Sequence, residues 1–355
     1  MIMRSRAPLR ISFAGGGTDV PPFPELEGGC VLSATINKYA FGTLRPNGSA
    51  KINIRSLDYG LSISLGGDES FLYDGKLDLV KAAIQKFRAP ENPGFDLFLR
   101  TDVPPGSGLG SSSAMIVSLV GLLKEYRALP LTEYEVAHAA YVIERQDLGI
   151  KGGLQDHYAA SFGGFNFIEF YKDRVIVNPL RIGASTVSEL EYNLLLCFTG
   201  HTRSSDGIIE DQTARYTQKF EQTVEGLKQQ KLLAVEMKNA LLRNRLNEFG
   251  ELLHQAWLSK RKISPKITTP HIDSLYEEAR RHGAMGGKIV GAGGGGFMLF
   301  YCAFESKHKV ADAVKKLGAD PREFGFTPSG LQTWRIAEEE EAPNTDQVRQ
   351  GAAGG

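Results

Sequence analysis

Cysteine, net charge and long apolar runs are all scarce in this chain of 355 residues. Its three cysteines, Cys30, Cys197 and Cys302, are odd in number and far apart. That excludes a disulfide framework and a C-x-x-C metal pair, and it suits a reducing, cytoplasmic compartment. Lys plus Arg number 41 and Asp plus Glu number 41. With no basic excess there is no electrostatic case for nucleic acid or a membrane surface as partner. The longest apolar run, Ala114 to Leu123, is too short to span a bilayer. No apolar signal region follows Met1-Ile2-Met3-Arg4-Ser5-Arg6. Internal repeats are absent too, and nothing in the composition requires or excludes a homo-oligomer. A 42% hydrophobic content is ample for a large core, and the length suggests two domains.

Glycine is what the chain has in excess, with 40 residues, many of them clustered. The most informative cluster is Pro104-Pro105-Gly106-Ser107-Gly108-Leu109-Gly110-Ser111-Ser112-Ser113-Ala114. It lies between a strand-like run, Phe95–Leu99, and a helix-like run to Arg127. Glycines permit a tight turn that exposes backbone N–H groups, and a helix N-terminus is a ready anion site. The segment reads as a phosphate cradle with a serine hydroxyl placed to reach Mg²⁺. No Lys follows the last Gly, so it is not a Walker A loop. Ser111 replaces the third Gly of a dinucleotide fingerprint. A serine-hydrolase elbow would run from strand to nucleophile directly, whereas here Thr101 to Gly110 intervenes. A plain Gly/Ser connector capping a helix is the simplest alternative. Two prolines and the abrupt switch to an apolar helix favour a fixed turn.

The rest of the pattern is α+β, without regular βαβ alternation. Residues 4–14 alternate as a strand, with Arg4, Arg6, Arg10 and Ser12 on one face and Leu9, Ile11 and Phe13 on the other. Strands are predicted at Gly29–Ile36, Tyr39–Leu44, Ala50–Ser56, Leu61–Leu65, Phe165–Phe170, Tyr192–Phe198, Lys288–Gly291 and Phe297–Cys302. Helices are predicted at Leu77–Phe87, Ser113–Arg127, Glu133–Asp147, Tyr158–Phe162, Ser205–Gln229, Lys231–Asn244, Arg245–Leu258, His271–Gly283 and His308–Leu317. Thr132 and Glu135 form a capping box. The pattern resets near residue 180, so domains are expected at 1–181 and 182–337, with 338–355 as a solvated tail.

Gly291-Ala292-Gly293-Gly294-Gly295-Gly296 matches G-x-G-x-x-G by letter, but a strand follows it, not a helix. It reads as a glycine loop where a ligand or another backbone approaches closely; a hairpin turn is the alternative.

Three words, Arg6–Asp19, Pro104–Ala114 and Gly286–Gly296, stand in this order, and together they resemble the three motifs of the GHMP small-molecule kinases over residues 4–335. Several words are most similar to those of kinases of D-glycero-D-manno-heptose 7-phosphate: Gly15–Asp19, Ser33–Tyr39, Thr199–Ser204, Trp257–Lys260 and Gly286–Lys288. L-fucokinases share several of them.

The resemblance implies a two-domain fold, with a ribosomal-S5-like N-terminal domain, a ferredoxin-like C-terminal domain and ATP in the cleft between them. It implies that Pro105, Gly106, Ser107, Gly108, Leu109, Gly110, Ser111, Ser112 and Ser113 hold the ATP phosphates, with Ser112 on Mg²⁺. Ser111 and Ser113 could instead cap the helix. Glu144 shares one helical side with Val136, Ala140 and Ile143, where a carboxylate is costly unless paired. A metal is one partner, in agreement with the resemblance, and a nearby Arg is another. Asp156 matches the family's catalytic base, although it could also cap the short helix after it. Arg10 is expected beside Asp156, to keep it ionised; a surface ion pair is the alternative. His157 is taken as structural. Asp19 matches a sugar ligand of the family. Gly16 and Gly17 open room where galactokinases carry larger side chains, which suits a larger or phosphorylated sugar. For the phosphate of such an acceptor the candidates are Thr202 and Arg203, then Lys288. Gly293 and Gly294 are expected near the acceptor. The resemblance thus implies an ATP- and Mg²⁺-dependent cytoplasmic sugar kinase acting on the anomeric hydroxyl of a heptose 7-phosphate; an L-fucokinase-like kinase of an unphosphorylated sugar and a non-catalytic binding protein of the same fold are the alternatives.

Overall fold

A computed structural model describes residues 1–66, 72–88, 93–202 and 205–337. The first half of the chain runs β1 (Ile2–Ala14), α1 (Phe23–Glu27), β2 (Gly29–Pro46), β3 (Ile52–Ser56), β4 (Leu61–Leu65), α2 (Asp78–Phe87), β5 (Phe95–Thr101), α3 (Ser111–Tyr126) and α4 (Glu133–Tyr141). A π-helical turn at Val142–Asp147 leads to α5 (Gln155–Phe162), β6 (Phe165–Phe170) and β7 (Val175–Pro179). The second half runs α6 (Ala184–Asn193), β8 (Leu194–Phe198), α7 (Asp206–Thr217), α8 (Glu221–Leu242), α9 (Leu246–Ile263) and α10 (Pro270–Arg281). It closes with β9 (Ala284–Ile289), β10 (Phe297–Cys302), α11 (Lys307–Lys316), β11 (Asp320–Arg322) and β12 (Gln332–Ile336).

An eight-stranded sheet has the order β12-β1-β2-β5-β3-β4, with β6 also on β2 and β7 on β6. β2 is one strand of 18 residues, not the two predicted from sequence. Its first half pairs with β6 and its second half with β5. The polar pair Asn37-Lys38 looks like a break, but it is a bulge opposite the Pro8/Leu9 step of β1. Beyond that bulge β1 is buried on both faces, so Arg10 and Ser12 lie inside, not on a polar face.

A second, four-stranded sheet has the order β11-β8-β10-β9, all antiparallel. The predicted strand at Tyr192 begins two residues later, because α6 runs through Asn193 and leaves Tyr192 exposed. The three helices expected between 205 and 258 divide differently. α7 stops at Thr217, before a left-handed Lys219, and α8 continues through Gln230 without a break. The tail expected at 338–355 lies outside the described residues.

α3 is apolar on every side because it packs on β1 and β2 in the middle of the largest core cluster. That cluster crosses into the second half of the chain. Phe13 of β1 stacks edge-on against Phe249 of α9 at 5.3 Å between centroids, and Phe249 in turn meets Tyr301 of β10. β12 returns from the second half to pair with Ile2–Arg6.

Candidate active site

The phosphate-loop candidate is shaped by three left-handed glycines, Gly106, Gly108 and Gly110. Gly110 is the residue before α3, so Ser111, Ser112 and Ser113 form its first turn. α3 therefore begins two residues earlier than expected, and no serine side chain caps it. Ser113 instead turns to Glu144. The loop leans on the second glycine cluster, which joins β9 to β10 as expected. The Phe297 N–H donates to the Ser107 carbonyl at 3.1 Å, and a Cβ on Gly291 would collide with Gly108. Backbone-to-backbone approach, not a plain hairpin turn, accounts for glycine there.

Arg10 joins the loop to α5. Its Nη1 donates to the Gly108 carbonyl at 2.8 Å, while Nε and Nη2 each stand 2.7 Å from Asp156 Oδ1. Asp156 lies in the first turn of α5, where Leu154 occupies the cap position. Its Oδ2 has no partner among the described residues and lies against Gly110. Asp19 is buried and accepts from the N–H groups of Gly17 and Gln155 and from Gln155 Nε2, at 3.0 to 3.2 Å. Burial, then the Asp156 carboxylate, raises the Asp19 carboxyl above its ordinary range.

Glu144 is fully buried in the π-helical turn. Ser112 Oγ donates to its Oε1 at 2.6 Å, and Ser113 Oγ to its Oε2 at 2.7 Å. His157 Nε2 is 2.6 Å from Oε2, and Arg145 Nη2 is 3.5 Å from it. Burial alone would raise this carboxyl; the His157 hydrogen bond, Arg145 and Ser112 overcome that and hold it at about 2. An ionised carboxylate oxygen and a hydroxyl thus lie together on the cleft wall, a hard donor pair that suits Mg²⁺. Among the described residues no group of three His, Cys, Asp or Glu side chains could form an all-protein metal cage. Magnesium commonly needs none, because it takes its remaining ligands from phosphates and water.

These groups line one cleft of about 320 Å³. Of the residues predicted from sequence it gathers Arg10, Gly16, Gly17, Asp19, Gly106, Gly108, Gly110, Ser111, Ser112, Ser113, Glu144, Asp156 and Gly293. Others lie elsewhere. Leu109 is in the core and Ser107 is buried, so only their backbones face the loop's business. Gly294 does not line the cleft, and its N–H is bonded to the Ile267 carbonyl. Thr202 is exposed outside it, and Arg203 lies outside the described residues. Lys288 is wholly buried beneath the cleft, and its ammonium donates to the Ser12 carbonyl at 2.6 Å.

Several residues in or behind the cleft wall escaped sequence reasoning. His157, set aside as structural, orients Glu144. Gln155 holds Asp19. Lys260 lies on the buried stripe Phe249, Leu253, Ala256, Trp257, Lys260 of α9. The test that singled out Glu144, a charge on an apolar helix side, applies equally to Lys260. A second, mostly apolar cavity of about 370 Å³ shares Gly106, Ser111 and Ser112 with the cleft. Tyr59, Leu61, Leu77, Leu99 and Met115 surround it. No motif marks it, because its wall is assembled from five separate elements and the loops between them.

An anion loop, a carboxylate beside an arginine, and a hydroxyl–carboxylate pair around one cleft define a phosphoryl-transfer enzyme. Family models match both halves: the GHMP kinases N terminal domain over residues 78–164 and the GHMP kinases C terminal region over residues 237–320. The chain belongs to the GHMP kinase family and is a sugar kinase. It is 40% identical to D-glycero-alpha-D-manno-heptose 7-phosphate kinase of Campylobacter jejuni, over 94% of this chain and 99% of that one. The crystal structure of a D-glycero-D-manno-heptose 1-phosphate kinase from Bacteroides thetaiotaomicron superposes with a TM-score of 0.80 at 36% identity. That match covers 95% of this chain and 100% of the other. A bifunctional fucokinase/GDP-fucose pyrophosphorylase of Arabidopsis thaliana is 29% identical over 93% of this chain, which spans 32% of that protein. No helix among the described residues is long and apolar enough to cross a membrane.

Proposed function

We propose that this kinase transfers the γ-phosphoryl group of ATP to the C1 hydroxyl of D-glycero-D-manno-heptose 7-phosphate, giving the 1,7-bisphosphate. The observation that carries the chemistry is the Arg10–Asp156 pair. Arg10 takes Asp156 Oδ1 with two nitrogens and leaves Oδ2 open against Gly110, at the end of the phosphate loop. Asp156 Oδ2 accepts the proton of the attacking hydroxyl, and Arg10 holds that carboxylate aimed. The Gly106–Ser113 backbone and the start of α3 hold the triphosphate. Ser112 and Glu144 are the protein ligands for Mg²⁺, which when bound neutralises charge on the β- and γ-phosphates. The apolar cavity beside the loop takes the adenine base. Asp19, with Gly16 and Gly17 leaving space, takes the sugar.

The acceptor rests on the two heptose phosphate kinases, which match this chain along nearly its whole length. Arg203 and Thr202 are the proposed partners of the acceptor's phosphate, whereas Lys288 supports β1 from beneath. The reaction belongs in the cytoplasm, where ATP is abundant and three buried free thiols stay reduced. Its product would feed nucleotide-activated heptose for a surface polysaccharide. ADP release with heptose 7-phosphate, the unphosphorylated heptose and L-fucose as acceptors tests the assignment. Heptose 7-phosphate should give the highest kcat/KM. A preference for fucose would refute the acceptor, and an unchanged acceptor KM in Arg203→Ala would refute the phosphate contact.

A further inference from the structure

Three lysines are buried among the described residues: Lys81, Lys260 and Lys288. Lys81 is paired with Asp74 and Asp78, and Lys288 donates to the Ser12 carbonyl. Lys260 is different. It is 6% exposed, and its ammonium makes no hydrogen bond or ion pair among the described residues. An unpaired buried charge is costly, so its retention calls for a partner that arrives from outside.

The ammonium lines the cleft beside Gly16. A Cβ on Gly16 would stand 3.9 Å from Lys260 Nζ and 3.4 Å from Ser12 Oγ, so the missing side chain leaves space beside both groups. Ser12 Oγ and Gln155 Oε1 are buried and have no partner among the described residues. Gln155 Nε2 is committed to Asp19, which leaves the carbonyl end spare. One wall therefore brings together an ammonium, a hydroxyl and an amide carbonyl, none of which has a partner among the described residues.

The mixture identifies the ligand chemistry. A phosphate monoester is mostly dianionic at neutral pH, with three acceptor oxygens, and is therefore a poor donor to the Gln155 carbonyl. Adjacent hydroxyls suit the whole set, because each can accept from the ammonium and donate to a carbonyl or carboxylate. Building on the sugar-kinase assignment, we propose that Lys260, with Ser12 and Gln155, reads neighbouring hydroxyls of the acceptor ring next to the one that is phosphorylated. Lys260 is thus an acceptor-specificity residue, and the acceptor class it selects is a vicinal polyol. Burial lowers the ammonium's pKa to about 8, with Asp19 opposing that shift and Arg10 adding to it. The other charged groups at this floor are Lys288 below and Asp156 on Arg10.

The test compares wild type with Lys260→Met and Lys260→Arg. In Lys260→Met the acceptor KM should rise about tenfold or more, the scale of one hydrogen bond to a charged group. The affinity for a fluorescent ATP analogue should stay within about twofold, because the rest of the nucleotide site is untouched, and Lys260→Arg should recover part of the loss. Wild type should discriminate against the deoxy acceptor that lacks the contacted hydroxyl, and Lys260→Met should not. The unliganded Met variant should melt at or above the wild-type temperature, since an unpaired buried charge is removed. An unchanged acceptor KM would overturn the proposal. So would a loss confined to kcat, which would assign Lys260 to the transferred phosphoryl group, or a melting temperature lowered by several degrees, which would make it structural. The wild-type acceptor panel separates this from the heptose assignment. If another polyol is the better substrate, the heptose assignment fails and the same Lys260 comparison is read on that polyol.

Discussion

Asp156 and Glu144 are both carboxylates within one cleft, yet their surroundings give them different work. Asp156 has one oxygen clamped by Arg10 and the other open, the arrangement of a base. Asp156→Asn should lower kcat by about 10²- to 10⁴-fold with acceptor KM nearly unchanged, read from steady-state kinetics. Glu144 has both oxygens engaged, and Ser112 is the sole described partner of Oε1. Its carboxyl falls from an ordinary 4.5 to about 2 in the folded state. Its ionised form therefore stabilises the fold above about pH 4.5, and that contribution is lost as the pH falls toward 2. Melting temperatures of wild type and Glu144→Gln should differ by a constant amount above pH 5 and converge below about pH 4. A gap independent of pH down to 2 would contradict the ionised assignment. Glu144 was legible in the sequence because a charge on an apolar helix side is conspicuous. His157 was not, since a histidine beside a turn has no pattern until the fold brings it to Glu144.

Among the elements, the two glycine loops are decisive. Each could be read from its letters, but their mutual contact could not, because it joins residues nearly two hundred positions apart. Gly291 faces Gly108 so closely that a methyl group would push the loops apart. Gly291→Ala should cost about 1–3 kcal/mol of stability and weaken nucleotide binding, checked by denaturant unfolding and by titration with an ATP analogue. Equal affinity in the variant would show that the loop contact does not shape the nucleotide site. Other elements were misread for local reasons. Asn37-Lys38 looks like a turn but bulges within one strand, and the apolar spacing of α8 and α9 leaves their breaks unmarked. β7, α6, β11 and β12 are short, and their packing, not their composition, defines them.

The described residues form two sheets that share the largest core cluster, while the other face of the smaller sheet packs in a cluster of its own, and the cleft lies where the first and third motifs meet the phosphate loop. β12 ties the end of the described chain back to β1. A chain ending at Leu331 loses that ladder and uncovers an edge of the large sheet. It should melt several degrees lower, by about 4–8 °C per kcal/mol for a small domain and less for one of this size. An unchanged melting temperature would show that β12 contributes nothing to stability. Three motifs in order were enough to read the family and the chemistry from sequence. The proposed acceptor subsite was less legible, because Lys260, Gln155 and Ser12 come from separate elements and converge only in the fold.

Transfer of phosphate to the anomeric hydroxyl of heptose 7-phosphate is read out by ³¹P NMR of enzyme, MgATP and that sugar. A new anomeric phosphate signal should appear beside the retained 7-phosphate signal, with ADP formed in equal amount. A new phosphate at any other carbon, or product only from an unphosphorylated sugar, would contradict it.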